Sequence, residues 1–554
     1  MSQNSTGLSR RALLGLGAGI AATAVAGGCS SGGSRSAAGG TLTVPTYLPA
    51  RTFPGVITSS VPGVPYGYST YPRPLVATVK EVPGRGSTIT SYTMTWAGQP
   101  TPLAHNKYWQ GLNKRLGVTW KPTIAPADGY EQKLATLLAG GDLPDLTILR
   151  PCAAANSALR QGAFANLNDV LGGSGIEKYP NIGWTRPEQW RQVLVDNTIY
   201  GIPLDVPICN QQVRIRMDWA KKLGFTAPPA NAEEFHKFLT GVPKANVGRN
   251  GQKAFGLATF GVTTNGNPFI NQMFKVPNIW SGDGNELTHM YESEQFAKAL
   301  EFAARVWKDG GFHPDALALS TQNQKELSLF TGGQLSILSI SMQGWHQAPY
   351  NDTLRAANGG IVPYVVPGAD GGVGTYWLGG SVYGLLAISA KAGSDDKRLD
   401  EILRVVNWLK APFGSAENTY MLNGAENEYW TWKNGAPTFI DESAFRADAS
   451  TLTYGYRPNV WYVAGEPNAA RDIIAYCEQV VRTGVANPCD GLSSQVADRL
   501  GPALDEVAST YLTQIVTGRR PVTDVTAFAA EWRKRGGDQV RDDLRKALSE
   551  RGGK

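Results

Sequence analysis

Tryptophan, tyrosine and planar polar side chains are the residues of this sequence with the most chemistry to offer. The chain has 15 tryptophans. An aromatic face takes the C–H patches of a polar ring, while Asn, Gln, Asp, Glu and Arg take its hydroxyls. Tyr429, Trp430, Trp432, Phe439, Tyr454, Tyr456, Trp461 and Tyr462 crowd one stretch, too densely for an ordinary surface. Alternation in YWTWKN puts Trp430 and Trp432 on one strand face. Part of this group is therefore core, and one or two members are expected to line a cleft. Asn423, Glu426 and Glu428 are polar candidates beside them.

Catalytic constellations are scarce. GGSVYG (379–384) falls short of a nucleophile elbow, because Tyr383 stands where the second glycine belongs. There is no H-E-x-x-H. His105, His236, His289 and His313 show no ligand spacing and read as surface or capping residues. DGNE (283–286) lacks alternating acidic ligands and reads as a hairpin tip. A glycoside hydrolase would need two carboxylates across a scissile bond; Glu426 with a distant partner is the route to one, but no strand-end pattern of carboxylates emerges. Neither cofactor nor metal is expected.

One cysteine stands apart. Arg10 and Arg11 precede an uncharged stretch, Leu13 to Ala26, and Val25-Ala26-Gly27-Gly28 leads into Cys29. That is a signal peptide's anatomy (1–28), too short for the about 20 apolar residues that span a bilayer. VAGGC resembles the bacterial lipobox, in which the cysteine is lipidated and becomes the mature N-terminus, and SRRALL resembles a twin-arginine leader. Residues 29–40 then form the lipidated cysteine and a Gly/Ser tether. An extracytoplasmic protein, anchored to the membrane through lipid alone, is the expectation. The other cysteines are Cys152, Cys209, Cys477 and Cys489. An oxidising compartment permits disulfides among them. Cys477 and Cys489, twelve apart, are the favoured pair, with four free thiols the alternative. The net charge of +6 is small for this length and unclustered, which disfavours nucleic acid.

The elements that must position these residues follow. Residues 41–87 hold eight prolines and no helical period, an extended arm either packed on the body through its tyrosines or left as a linker. From residue 88 the rhythm alternates. STITSYTMTW (87–96), VTWKPTIAP (118–126) and DLTILRP (145–151) read as strands, HNKYWQGLNKRLG (105–117) and GYEQKLATLLAGGD (129–142) as helices. Strand, helix, strand, helix, strand implies a parallel sheet with right-handed crossovers. Ligands of such sheets gather beyond the strand C-termini, which points to Trp96, Gln99 and Arg150. RMDWAKKLGF (216–225) is a helix with Asp218 as its expected N-cap. FAKALEFAARVWKDGG (296–311), DEILRVVNWLKAPFG (400–414), 500–518 and 524–548 are further helices.

YGIP (200–203) with RMDWAKKLGF, IWSGDGNELTHMYESEQFAKALEFAARVWKDGGFHPD (279–315), FTGGQLSIL (330–338) and NGAENEYWTWKNGAPTF (423–439) resemble, in order and spacing, the extracellular solute-binding proteins of family 1, the sugar-binding subunits of ABC importers. The resemblance is to their longer lipoprotein branch and covers about residues 88–545. It implies a two-lobed α/β periplasmic-binding-protein-like fold (type II) with discontinuous lobes, 88–205 plus 378–423 and 206–377 plus 424–554. It also implies a hinge at Gly201, Gly379, Gly380 and Gly384, and an interlobe cleft that takes a carbohydrate. Trp345 stands where the family commonly places a stacking tryptophan, and Trp377 and Asp205 flank the implied hinge. An ABC permease is the implied partner and a monomer the implied state. An exported glycoside-active enzyme or a ligand-sensing lipoprotein using the same cleft are the alternatives.

Overall fold

The structure is a computed structural model that describes residues 42–552 except 50, 97, 263–267, 320–322, 343–352, 354, 355, 358 and 454–458. The leader, Cys29, the tether, Trp345, Tyr454 and Tyr456 lie outside the described residues.

The principal elements in chain order are β1 (Thr88–Thr95), α1 (Lys107–Leu116), β2 (Thr119–Pro126), α2 (Tyr130–Gly140), β3 (Leu146–Leu149) and α3 (Ala153–Arg160). They continue with β4 (Gly201–Asp205), β5 (Gln211–Arg216), α4 (Glu294–Lys308), β6 (Ile337–Ser341), β7 (Ile361–Pro363), β8 (Tyr376–Trp377) and β9 (Val382–Ile388). The last are α5 (Asp396–Leu409), α6 (Ala469–Arg482), β10 (Gly484–Val485) and α7 (Gln495–Val516).

The expected strand–helix alternation over 88–149 is present. In α1, the Asn106 side chain accepts the Trp109 N–H, and Tyr108, Leu112 and Leu116 are buried one turn apart. Gly117 ends the helix at φ 66°, a left-handed conformation that costs glycine least. The sheet has the order β2-β1-β3-β9-β4. Its first three strands are parallel, and β9 runs antiparallel to both β3 and β4. All four residues of β3 are buried, as a strand covered on both faces requires.

A first core gathers around this sheet, from Ile89 to Leu204 and again from Leu385 to Leu452. A second core runs from Val213 to Trp377 and from Cys489 to Leu544. It surrounds a three-stranded antiparallel sheet, β6-β5-β7, with α4 and α7 packed beside each other. Two cores, each built from discontinuous segments, give the two-lobed architecture. The chain passes between them at 205–211 and again at 377–382. The third passage differs from expectation. Tyr429, Trp430, Phe445, Ala449 and Leu452 belong to the first core, so 424–452 packs with the first lobe and the chain leaves it only afterwards. The hairpin of Trp430–Lys433 with Ala436–Phe439 and the helix after it complete the α1 side of that core.

A third, smaller cluster holds Cys209, Tyr376, Trp461, Tyr476 and Cys477 beside the passages. Asp218 does not cap its helix. Arg216 occupies that position, and its guanidinium binds the Asp218 carboxylate, with Nε to Oδ1 at 2.8 Å. Gly224 follows the helix at φ 87°, close to the expected stop.

The proline-rich arm is packed, not loose. Tyr68 stacks on Phe413 at 5.5 Å, and Tyr71 sits among Phe413, Trp432 and Tyr462 with its hydroxyl 2.9 Å from Thr419 Oγ1. The backbone N–H groups of Thr78 and Val79 donate to Glu417, and that of Arg85 to Glu401. Removing a buried aromatic costs about 3–5 kcal/mol. Tyr71→Ala is therefore expected to lower unfolding stability by that order, read as a shift in the urea midpoint. A shift smaller than that of a surface substitution would mean the arm contributes little.

Candidate ligand site between the lobes

The C-terminal ends of β1 and β3 lie side by side, because β1 pairs with β3 in parallel. Trp96 leaves the end of β1 with 41% of its surface exposed, and Arg150 leaves the end of β3. Between them stands Tyr383 of β9, brought there by the register that sets Leu385 opposite Leu149. The rings of Trp96 and Tyr383 are 6.3 Å apart, edge to face. The Arg150 guanidinium lies over the Tyr383 ring at 5.3 Å, and the Tyr383 hydroxyl reaches Met94 Sδ at 3.3 Å. The trio combines an exposed indole face with a guanidinium held by a phenol ring.

Gly384 makes this approach possible. A Cβ there would meet the Leu149 carbonyl oxygen at 2.2 Å, so no other residue lets β9 lie this close to β3. Gly201 is similar: a Cβ there would meet the Leu386 carbonyl oxygen at 2.3 Å. Both are sheet glycines inside the first lobe. Gly379 and Gly380 instead occupy the connection between β8 and β9.

Arg150 also borders a cavity of about 310 Å³, at the lower end of the size of small-ligand sites. Its walls come from the first lobe at Asn156, Gln192 and Val382 and from the 489–493 turn before α7. Burial raises the Asp490 carboxyl on that turn to about 6, against the opposing Asn487 hydrogen bond and Arg551 charge. Beside the cavity the lobes touch: Asn156 Nδ2 donates to Asp498 Oδ1 at 2.9 Å, and Arg160 pairs with the same carboxylate at 3.2 Å. The cavity is thus walled by both lobes and carries donors, acceptors and one cation.

Of the residues singled out in the sequence, Trp96 and Arg150 come together here, with Gly380 and Gly384 in the cavity wall. Gln99 is exposed nearby in sequence and donates to the Ile124 carbonyl at 3.2 Å. Others lie elsewhere. Asp205 is buried in an ion pair with Lys410 at 2.7 Å; its carboxylate is committed to that ammonium. Trp377 is buried in the second core, its indole N–H donating to the Val276 carbonyl at 3.0 Å. Trp430 is buried in the first core, with its N–H on the Gly424 carbonyl. Trp432 is covered by the arm, Arg73 lying over its ring at 4.3 Å. Asn423 bonds back to the Thr419 carbonyl, while Glu428 pairs with Lys107 on the α1 side and Glu426 is exposed on the same turn. None of this group lines the cavity. Nor are Cys477 and Cys489 joined: both are free thiols, Cys477 in the third cluster and Cys489 in the second core.

Tyr383, Gln192 and Asp490 were not foreseen. Tyr383 had a legible signal, since it follows the glycine pair that carries the chain between lobes. Asp490 had none, because only the tertiary return of the chain brings its turn to β3.

A two-lobed α/β fold with a polar, aromatic-edged cavity between its lobes defines a protein built to enclose a solute. The chain belongs to the bacterial extracellular solute-binding protein family, whose model matches residues 107–412. Among its relatives is the lipoprotein LipO of Bacillus subtilis, 20% identical over 79% of this chain and 88% of LipO. Another is the polygalacturonan/rhamnogalacturonan-binding protein YtcQ of the same organism, 21% identical over 79% of this chain and 86% of YtcQ. The solved alginate-binding protein AlgQ2 shares the fold with a TM-score of 0.59 at 16% identity, over 86% of this chain and 99% of its own. The Streptococcus pneumoniae substrate-binding protein FusA, solved with kestose, gives 0.63 at 16% identity, over 84% of this chain and 100% of its own.

Proposed function

We propose that this chain is the ligand-capturing subunit of an ABC importer, lipid-anchored outside the cytoplasm through Cys29, and that its ligand is an oligosaccharide. The observation that carries the reading is the Trp96–Tyr383–Arg150 trio at the strand ends, with Arg150 also in the wall of the interlobe cavity. An exposed indole suits a sugar's C–H face, and Arg150, Asn156 and Gln192 suit its hydroxyls. The names of YtcQ, AlgQ2 and FusA support the same ligand class.

The mechanism is hinge closure. A ligand that touches both lobes only when they are closed shifts the open–closed equilibrium by that difference in affinity. The Gly379–Gly380 connection is the place for backbone rotation, since Gly201 and Gly384 are held in the sheet. The closed form docks on the permease.

Intrinsic fluorescence titrated against an oligosaccharide panel tests this, with chromatography of the sugar afterwards. Saturable binding that leaves the sugar intact is expected, and released product would mean an enzyme instead. Trp96→Ala and Arg150→Gln are each expected to weaken binding at least about tenfold, a loss of about 1.4 kcal/mol. Trp345→Ala carries the same expectation. Unchanged affinity in any of them removes that residue from the site.

A further inference from the structure

Cys209 and Cys477 are two buried thiols that the proposed mechanism leaves unused. Cys209 lies in the 205–211 passage between the lobes, and Cys477 lies on α6. Both are fully buried in the third cluster as free thiols, and the neighbouring Cys209 together with burial pushes the Cys477 thiol up. Independent contacts fix the same neighbourhood. The Tyr476 hydroxyl, one residue from Cys477, accepts the Val213 N–H at 3.4 Å. The Tyr376 hydroxyl donates to the Gln211 carbonyl at 2.6 Å and accepts the Gln211 N–H at 2.8 Å. Helix α6 and β8 are therefore clamped against the segment that carries Cys209.

We propose that Cys209 and Cys477 form a disulfide in the mature protein, and that this bond fastens the first interlobe passage to α6. The inference rests on the extracytoplasmic location proposed above, because oxidising compartments are where such bonds persist. The two thiols give up two protons and two electrons as the S–S bond forms. A second disulfide, glutathione disulfide or the disulfide form of a protein oxidant, accepts them through a mixed-disulfide intermediate and leaves as two thiols. Neither sulfur is exposed once α6 is docked, and burial together with the neighbouring thiol holds the Cys477 thiol in its unreactive protonated form. The exchange therefore belongs to the stage before α6 docks.

The bond has a directional consequence. The residues after α6 form β10, which pairs in parallel with β8 through Tyr376–Gly484 and Trp377–Val485. Linking α6 to residue 209 therefore couples two passages between the lobes, and closure must carry them together.

The test uses two samples of the full mature chain. One is unfolded in urea with reductant and refolded in a glutathione redox buffer; the other is exported by cells and treated with an alkylating agent at lysis. Both are digested without reduction and analysed by mass spectrometry. A linked Cys209–Cys477 peptide in both, with Cys152 and Cys489 alkylated, is the expected result. Its melting temperature should fall by about 4 °C on reduction, and not in Cys477→Ala. Alkylated Cys209 and Cys477 in the refolded sample, or a link to Cys489, would overturn the pairing. A link in the refolded sample but free thiols in the exported one would overturn the bond in the mature protein. That second result would count against the compartment while leaving sugar binding, measured separately by fluorescence, untouched.

Discussion

Lys410→Met is expected to lower the unfolding free energy by about 3–5 kcal/mol. The Lys410 ammonium lies 2.7 Å from Asp205 Oδ2, with side-chain exposures of 2% and 3%. It also donates to the Pro203 carbonyl at 3.1 Å and sits over the Trp184 ring. Removing it strands a carboxylate in a site with almost no water, and the desolvation already incurred is no longer offset by the pair. The damage falls at the end of β4, where the chain leaves the first lobe. Adding Asp205→Asn should restore at least half of the loss, because the stranded charge is then gone. Urea unfolding of the wild type, single and double variants gives the comparison. A single-variant loss under about 1 kcal/mol would show that the pair is solvated in practice.

The second large effect is acid sensitivity at His289. Its ring is stacked on Trp532 at 4.2 Å and edged by Trp280 and Tyr291. Its Nδ1 accepts the Tyr291 N–H at 3.3 Å. Burial, reinforced by the positive charge of Arg541, lowers the imidazole to about 3. Unfolded, the same group protonates near pH 6.5. The folded state thus binds fewer protons between these values, so stability is complete above pH 6.5 and falls as the pH drops towards 3. The slope approaches 1.4 kcal/mol per pH unit, or about 3 kcal/mol between pH 6.5 and 4. His289→Phe should keep the aromatic packing and remove this slope. Parallel pH dependences in wild type and variant would show that other groups govern acid unfolding.

Local signals were legible wherever local physics decides the outcome. The alternation across 88–149 and the glycine stop at Gly117 follow from spacing and caps. Residues at the strand ends, Trp96 and Arg150, were legible because topology alone places them there. Partner identity was not. Asp205 reads as a hinge-side ligand until Lys410, far along the chain, is folded against it. Trp377 and Trp430 have the right type for a sugar platform, yet each spends its N–H on a buried carbonyl. Asp218 looks like a cap because an acid in a first turn is favourable; Arg216 beside it redirects the carboxylate. The return of 424–452 to the first core is hidden for a similar reason. A hairpin and one helix carry no local mark of the sheet they will cover.

The arm has a bearing on the order of folding. Tyr71 reaches Thr419, Ser59 reaches Glu478 at 2.5 Å, and Thr78 reaches Glu417. Each partner lies more than 300 residues downstream, so the packing around Tyr68 and Tyr71 cannot be completed until most of the body exists. Contacts of such sequence separation form late. Among the earliest described residues to be synthesised, Tyr68 and Tyr71 are thus among the last to settle, and their docking then reports that the Phe413 neighbourhood is already in place.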